Sequence, residues 1–304
     1  MRKNDPAAML MLLCSMVIYG SIGIFRRYIP LPSAVLACFR GIAGSLFLFL
    51  AAKLRKKPLR NHLSRKTILW LCISGAVMGF NWILLFEAYN YTTVATATLC
   101  YYMQPTIVVL LSPLLFRERI TLRKGLCALV SVAGMVLVSG VIGSGPQGPD
   151  PAKGILLGLS AAVLYAVVVI INKKTSGVDA YEKTIIQLMA SAASLLPYLA
   201  FTRQEIRTEL TPFSIAMLVI VGVVHTGVAY ALYFGSIDRL QAQTVAVFSY
   251  LDPITALILS AAVLGERLQV TGIIGALMII GAAVVCAFGD WDEQAVRSSG
   301  AAPG

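Results

Sequence analysis

An internal duplication constrains the fold of this chain more than any other sequence feature. When residues 79–119 are aligned with residues 227–267, ten of 41 positions are identical. Chance matching in so apolar a composition gives about three or four identities, so a duplicated segment is the better explanation. The identical pairs are Gly79/Gly227, Leu84/Leu232, Phe86/Phe234, Thr96/Thr244, Tyr102/Tyr250, Pro105/Pro253, Leu111/Leu259, Ser112/Ser260, Glu118/Glu266 and Arg119/Arg267.

The composition places both copies in a lipid bilayer. Hydrophobic residues make up 58% of the 304 residues and charged residues 13%, about half the charged share of a soluble domain. The apolar stretches each approach the ~20 residues that cross ~30 Å of hydrocarbon. They cover residues 7–25, 34–52, 67–89, 93–116, 124–142, 152–172, 181–201, 212–234, 243–264 and 270–288. The sequence therefore predicts an all-α membrane protein with ten transmembrane helices.

The basic residues predict the orientation of these helices. If the N-terminus is cytoplasmic, 18 of the 25 Lys and Arg residues lie on the cytoplasmic side and six on the other, with Arg40 inside helix 2. This imbalance favours cytoplasmic N- and C-termini in a multi-pass protein of the cell (plasma or inner) membrane. The net charge of +11 is dispersed through short loops, so we expect no nucleic-acid partner.

Five helices per copy is an odd number, so the second copy must cross the membrane in the opposite sense. We predict a first five-helix repeat over residues 1–142, a Gly/Pro linker over 143–151, a second repeat over 152–288 and a cytoplasmic tail over 289–304. The linker contains a GxGxxG pattern, but it follows a membrane helix instead of a strand, so we do not interpret it as a dinucleotide site. Inverted repeats are typical of alternating-access transporters.

Motifs for other chemistry do not occur in the sequence. The six cysteines lie singly in apolar stretches without CxxC spacing, and the two histidines, His62 and His225, are too few for a histidine metal cluster. Walker A, HExxH and nucleophile-elbow patterns are missing. We therefore expect no enzymatic activity, no metal and no cofactor.

Paired motifs in the fourth helix of each half resemble a known family. Each half has Tyr-x-x-Pro, at Tyr102–Pro105 and Tyr250–Pro253, and a glutamate 13 residues after the proline, at Glu118 and Glu266. With the ten-helix duplicated pattern, they are similar to the drug/metabolite transporter superfamily, and specifically to its EamA branch. The resemblance covers residues 7–288 and implies an inverted 5+5 fold and secondary transport of small metabolites, often export.

Three ionisable residues in the apolar stretches are candidate coupling or gating residues: Arg40, Glu87 and Asp252. An ionisable group in hydrocarbon is costly, so it belongs either to a structural pair or to the transport pathway. A requirement of the scaffold should act on both halves alike, so asymmetric positions favour function. The counterparts of these residues in the other half are Gln187, Gly235 and Gln104.

The depth of these residues suggests their roles. Arg40 lies seven residues, or ~10 Å, along helix 2 from Ser33, on the side where helix 3 carries Glu87. We expect an Arg40–Glu87 ion pair, either as a gate or as a structural strut. Asp252 precedes Pro253, which can kink its helix. It either binds a proton or a cationic substrate group, or is a buried aspartate bonded to Arg40 or a tyrosine.

Aromatic residues paired by the duplication are candidates for the substrate lining. Spacing of four puts Trp82 and Phe86 on one face of helix 3, and Tyr230 and Phe234 on the matching face of helix 8. Such rings suit an amphipathic solute or a cation over π-faces, but helix packing and interfacial belts are equally open interpretations. The candidate substrate-binding residues are Tyr19, Trp82, Tyr101, Tyr102, Gln104, Tyr165, Tyr230, Tyr233 and Tyr250.

Two further features are interpreted as structural. Glu118-Arg119 and Glu266-Arg267 each precede a helix, whose N-terminal dipole favours a carboxylate, and the adjacent arginine offers a partner. Glycines in helices 5 and 10 provide faces for close packing, either within the scaffold or in a homodimer.

Together these features predict a secondary transporter for a small organic metabolite, with the lipid bilayer as its surroundings. An amino acid or a similar amphipathic solute is the first candidate substrate. A choline-like quaternary amine is the alternative. A membrane receptor or scaffold that transports nothing is the rival from another class.

Overall fold

The computed structural model is helical throughout its regular structure. It describes residues 5–54, 63–116, 122–138, 147–175, 177–202, 210–237, 239–240, 245, 248–267 and 269–298. Within these ranges there are twelve α-helices and one π-helical segment. The all-α prediction is thereby confirmed, whereas the predicted Glu118 and Arg119 lie outside the described residues.

The helices of the first half are α1 (Pro6–Arg27), α2 (Ser33–Leu54), α3 (Arg65–Tyr91), α4 (Val94–Tyr101), α5 (Gln104–Phe116) and α6 (Leu122–Val138). The second half contains α7 (Pro151–Lys174), α8 (Ala180–Thr202), α9 (Pro212–Gly222), the π segment (Val223–Val228), α10 (Ala229–Ile237), α11 (Leu251–Leu264) and α12 (Val270–Ser298).

Each half begins with the same helix start. Asp5 caps α1 by accepting from the Ala7 N–H at 3.0 Å, and Asp150 caps α7 by accepting from the Lys153 N–H at 3.2 Å. A proline follows each aspartate at the first helical position, where its fixed φ suits the helix and its missing N–H is not needed. Local sequence therefore sets the first turn of both halves alike.

Seven helical spans are long and apolar enough to cross a membrane. They are residues Pro6–Arg27, Ser33–Leu54, Arg65–Tyr91, Val94–Leu111, Pro151–Asn172, Ala180–Thr202 and Pro212–Ser236, with Leu251–Leu264 and Val270–Val285 as shorter apolar helices. Large apolar side chains such as Leu46 and Leu129 point outward, 58% and 68% exposed. In water such a surface is unfavourable, and in a bilayer it faces lipid. The protein is thus a multi-pass membrane protein, while the count of ten spans stays a prediction.

The two halves pack mainly on each other. Helix α3 packs on α7 and α8, while α1 packs on α10 and α2 packs on the π segment. In the duplication α1 corresponds to α7, α2 to α8, and α3 to the stretch from α9 to α10. The α3–α7 contact therefore corresponds to α1–α10, and the α3–α8 contact to the contact of α2 with the π segment. The pairs α2–α8, α4–α11 and α6–α12 are their own counterparts. The tertiary contacts therefore repeat the duplication seen in the sequence.

The α6–α12 seam depends on two facing glycines. A Cβ added at Gly134 would lie 2.7 Å from the Gly275 carbonyl oxygen, and one at Gly275 would press against the Gly134 carbonyl. By contrast, no atom of the described residues lies within 4 Å of a Cβ placed at Gly272 or Gly281. The predicted close packing of small residues occurs within the chain at this seam.

Both Tyr-x-x-Pro motifs lie where a helix begins. The sequence predicted one helix over 93–116, but α4 ends at Tyr101 and α5 begins at Gln104. Tyr102 has φ −73° and ψ 1°, and Tyr250, just before α11, has φ −77° and ψ −4°. Pro105 and Pro253 lack the N–H that would continue the preceding turn. The two motifs thus produce the same backbone bend in both halves.

Candidate functional site

Arg40 lies between three helices in the first candidate site. Its guanidinium carbon stands 4.1 Å above the Trp82 ring centroid and 5.2 Å from that of Phe86. Its Nε donates to Thr226 Oγ1 in the π segment at 3.0 Å. The predicted common face of Trp82 and Phe86 is confirmed. We call these four residues the Arg40 site; the side chain of Arg40 bridges α2, α3 and the π segment.

The predicted ion pair between Arg40 and Glu87 is wrong, because the two side chains bind other partners. Glu87 accepts from Ser33 Oγ at 2.7 Å and from Asn90 Nδ2 at 3.2 Å. Ser33 also accepts from Arg26 Nη2 at 3.2 Å, which links Glu87 to a buried arginine through a hydroxyl. Ser33 begins α2, so Glu87 lies near that end of the bundle, ~10 Å of helix rise away from Arg40.

Asp252 lies in the first turn of α11 and interacts with the hydroxyl of Tyr102 from the other half. Helix α1 comes close to this turn because Gly20 leaves room: a Cβ there would collide with the Asp252 carbonyl oxygen. Of the two partners considered for Asp252 from the sequence, the structure gives the tyrosine. The contact joins the Tyr-x-x-Pro motif of one half to the motif of the other.

Five other tyrosines lie in the same region as this contact, and we call them, together with Tyr102, the tyrosine cluster. Tyr19 meets Tyr230 edge-on with ring centroids 5.6 Å apart, and Tyr101 stacks on Tyr165 at 5.3 Å. The cluster consists of Tyr19, Tyr101, Tyr102, Tyr165, Tyr230 and Tyr233, all half-buried. They come from α1, α4, α7, α10 and the α4–α5 bend, so residues distant in sequence converge at the junction of the halves.

The predicted face of α10 is also present. Tyr230 stacks on Phe234 at 5.8 Å with an interplanar angle of 11°, and Phe234 contacts Tyr233 edge-on at 5.3 Å. Tyr230 and Phe234 both pack against the hydrophobic core. Packing, one of the two interpretations left open by the sequence, is therefore observed on this helix, and substrate lining stays a prediction.

Gln104 and Tyr250 line a cavity of about 230 Å³ that also includes residues of α5, α6 and α12. Thr106, Lys124 and Ser131 add polar groups to walls that are otherwise largely apolar. The structure therefore places these two candidates on the side of the bends that faces α6 and α12.

His225 was not among the residues selected from the sequence. It is 2% exposed, its Nε2 lies 2.9 Å from Ser21 Oγ on α1, and its ring packs edge-on against Phe25 at 4.6 Å. With Thr226 it belongs to the π segment, a helix form that often marks functional positions. An ionisable residue in an apolar stretch is itself a sign of function. From the sequence we considered His225 only as a metal ligand.

Glu266 caps a helix in the other half of the chain. Its Oε1 accepts from the Val94 N–H at 2.9 Å and its Oε2 from the Ala95 N–H at 3.3 Å, at the start of α4. Arg27 Nη2 lies 3.3 Å from Oε1 and donates to the Thr92 carbonyl at 3.0 Å. As predicted, Glu266 has a structural role at a helix N-terminus with an arginine as its partner. The helix is α4, however, and not the helix that follows Glu266 in the chain. The partner is Arg27 and not Arg267. We call Glu266, Arg27, Thr92, Val94 and Ala95 the Glu266 cluster.

The geometry defines a class of protein: a helical membrane protein whose two halves enclose charged and aromatic side chains at their junction. Residues 6–140 and 152–288 both match the EamA-like transporter family. The chain therefore belongs to the EamA-like transporter family.

Relatives and solved structures agree with this assignment. An uncharacterized transporter, YxxF of Bacillus subtilis (strain 168), is 28% identical over 91% of this chain and 88% of its own length. Another from that strain, YvbV, is 24% identical over 82% and 80%, and protein RarD of Escherichia coli K12 is 25% identical over 66% and 65%. A crystal structure with 20% identity superposes with a TM-score of 0.65 over 92% of this chain and 96% of that chain, which establishes similarity of fold alone.

Proposed function

We propose that the protein is a secondary transporter that moves a small organic metabolite by alternating access. The substrate site in this proposal is the tyrosine cluster with Asp252 and the Arg40 site. The observation that carries the proposal is the Tyr102–Asp252 contact, because it places an ionisable group at the junction of the two halves. Movement of one half against the other changes the surroundings of such a group.

The arrangement of the halves in this proposal is two inverted five-helix repeats with both termini cytoplasmic. The two family matches and the exchange of packing contacts between halves support it. Single cysteines in the 53–66 loop and in the 144–151 linker should react with an impermeant maleimide from opposite sides of the membrane. Labelling from one side only contradicts the inverted arrangement.

Asp252 is the residue that couples transport to a proton gradient in this mechanism. A carboxyl group without a basic partner among the described residues can take up a proton from one side and release it to the other. The hydroxyl of Tyr102 serves the carboxylate as a donor and the protonated acid as an acceptor. Proton uptake and release therefore need no rearrangement of this contact.

Uptake into proteoliposomes with and without a pH gradient tests the proposal. We expect the wild-type chain to accumulate a neutral amino acid such as leucine when a gradient is applied. Asp252→Asn should bind the solute but no longer respond to the gradient, whereas the control Asp5→Asn, at the α1 cap, should keep the response. An unchanged response in Asp252→Asn contradicts proton coupling, and absence of any solute flux contradicts transport.

Organic cations are the second candidate substrates, because Asp252 lies among tyrosine rings. A carboxylate beside π-faces suits a quaternary ammonium group. Choline uptake in the same liposomes, with leucine as competitor, separates the two substrate classes. Flux of neither solute in any condition favours a receptor or scaffold.

A further inference from the structure

Arg40 uses only a small part of its hydrogen-bonding capacity. A guanidinium carries five N–H donors, and the bond from Nε to Thr226 accounts for one of them. Among the residues that the structure describes, the four N–H groups on Nη1 and Nη2 have no acceptor. The acidic candidates are engaged elsewhere, Glu87 with Ser33 and Asn90 and Asp252 with Tyr102.

The terminal amino groups of Arg40 are nearly, but not completely, enclosed. The residue is 4% exposed. Within the described part of the chain, the polar side-chain atoms that are fully enclosed and unsatisfied are Tyr19 Oη, Arg26 Nε, Ser191 Oγ and Thr271 Oγ1. The Arg40 nitrogens are not among them, so the terminal amino groups keep a small accessible surface. A buried, permanently charged group with free donors is costly unless an anion joins it.

The orientation of the guanidinium suits one kind of anion. Its central carbon lies 4.1 Å from the Trp82 ring centroid, and Thr226 occupies Nε, which leaves the edge formed by Nη1 and Nη2. That edge matches the two oxygens of a carboxylate in a bidentate pair. The contact with Trp82 and the bond to Thr226 restrict the side chain, so little side-chain freedom remains to be lost on binding.

Arg40 and Asp252 also flank the same tyrosines. Tyr19 and Tyr101 lie near both Arg40 and Asp252. Neither charged group interacts directly with the other among the described contacts. A solute between them therefore meets a cation at one end and a carboxyl group at the other.

We propose that Arg40 binds the carboxylate of the transported solute, so that the substrate class is carboxylate-bearing metabolites and foremost amino-acid-like zwitterions. This inference rests on the proposed transport function and specifies its substrate. The amino group of such a zwitterion lies toward Asp252 and the tyrosine rings. Solutes that are only cationic lack the group that Arg40 recognises.

Matched solute pairs test the proposal on the purified full-length chain. Leucine and leucinamide differ in the carboxylate, and so do glycine betaine and choline, the second pair carrying a quaternary amine. Affinity is measured by thermal stabilisation in detergent and by quenching of Trp82 fluorescence, with Trp82→Phe as the spectroscopic control. We expect the carboxylate member of at least one pair to bind about tenfold or more tightly than its partner, because charge-assisted pairs are strong.

Three variants separate recognition from structural support. Arg40→Gln should abolish the preference for the carboxylate, and Arg40→Lys should reduce it, because an ammonium keeps the charge without the fork. Arg27→Gln is the matched control: it removes a guanidinium of the Glu266 cluster, outside the proposed substrate site, so the preference should persist.

Three results overturn the proposal: no carboxylate preference in either pair for the wild-type chain, an undiminished preference in Arg40→Gln, or an equal loss in the control Arg27→Gln. If Arg40→Gln does not fold, the reduced preference in Arg40→Lys decides. Flux in proteoliposomes is scored separately. Carboxylate preference without flux contradicts transport but not the site, whereas flux without the preference contradicts the site alone.

Discussion

The Glu266 cluster and the Arg40 site differ in how many partners the protein gives to their charged side chains. In the Glu266 cluster the carboxylate meets two backbone N–H groups and an arginine, and that arginine also binds a carbonyl. In the Arg40 site a buried guanidinium has one hydrogen bond to the described residues and an aromatic ring beside it. A charged group whose hydrogen bonds are all made within the protein stabilises the fold. A charged group with unused N–H donors can still bind a ligand.

Both regions join the two halves, so position alone does not separate their roles. Glu266 links the end of α11 to the start of α4, and Arg40 links α2 to the π segment. The two regions differ in the number of hydrogen-bond and ion-pair partners that the described residues give to Glu266 and to Arg40. Substitutions in the Glu266 cluster should therefore change stability first, and substitutions near the Arg40 site and the tyrosine cluster should change solute binding first.

Glu266→Ala is expected to have the largest effect on stability. It leaves two N–H groups at the start of α4 without an acceptor and Arg27 without its carboxylate, for a loss of about 2–4 kcal/mol in the free energy of unfolding. Thermal and denaturant unfolding in detergent measure it. Glu266→Gln keeps an acceptor oxygen and should lose less. A stability of Glu266→Ala within about 1 kcal/mol of wild type would remove the basis of the comparison.

Tyr102→Phe should have an intermediate effect, on binding instead of stability. Loss of the hydroxyl beside Asp252 is expected to weaken solute affinity about three- to tenfold and to change unfolding by less than about 1 kcal/mol. Solute titration and melting of the same sample report the two quantities. Tyr198→Phe, on a ring that packs against Phe80, is the matched control and should leave affinity unchanged. The reverse pattern, lost stability with intact affinity, would place Tyr102 in the scaffold.

Arg27→Gln should have the smallest effect, about 0–1 kcal/mol, because the Arg27 side chain is 32% exposed and exposed ion pairs contribute little. Raising the salt concentration should shrink the difference from wild type further. Unfolding of Arg27→Gln at low and high salt provides the measurement. A loss as large as that of Glu266→Ala would mean that the ion pair, and not the helix cap, holds the Glu266 cluster together.

Pairings across the bundle were the part that sequence reasoning missed. The Arg40–Glu87 pair was inferred from depth along two helices, but depth does not fix how a helix is rotated or which polar neighbour is nearer. Ser33 lies closer to Glu87, and the π segment brings Thr226 to Arg40. Glu266 was expected to serve the helix that follows it, because sequence shows only the neighbours along the chain.

The sequence alone determined the helical membrane character, the duplication and the aromatic faces of Trp82 with Phe86 and Tyr230 with Phe234. The helical spans and the aromatic faces follow from apolar length and the 3.6-residue period of a helix. The end of α4 at Tyr101 was not predicted, because the apolar stretch continues through the Tyr-x-x-Pro motif. Only the tertiary structure decided which charges are paired and which keep free donors. Those choices depend on contacts between helices far apart in sequence, and the packing of whole helices sets them.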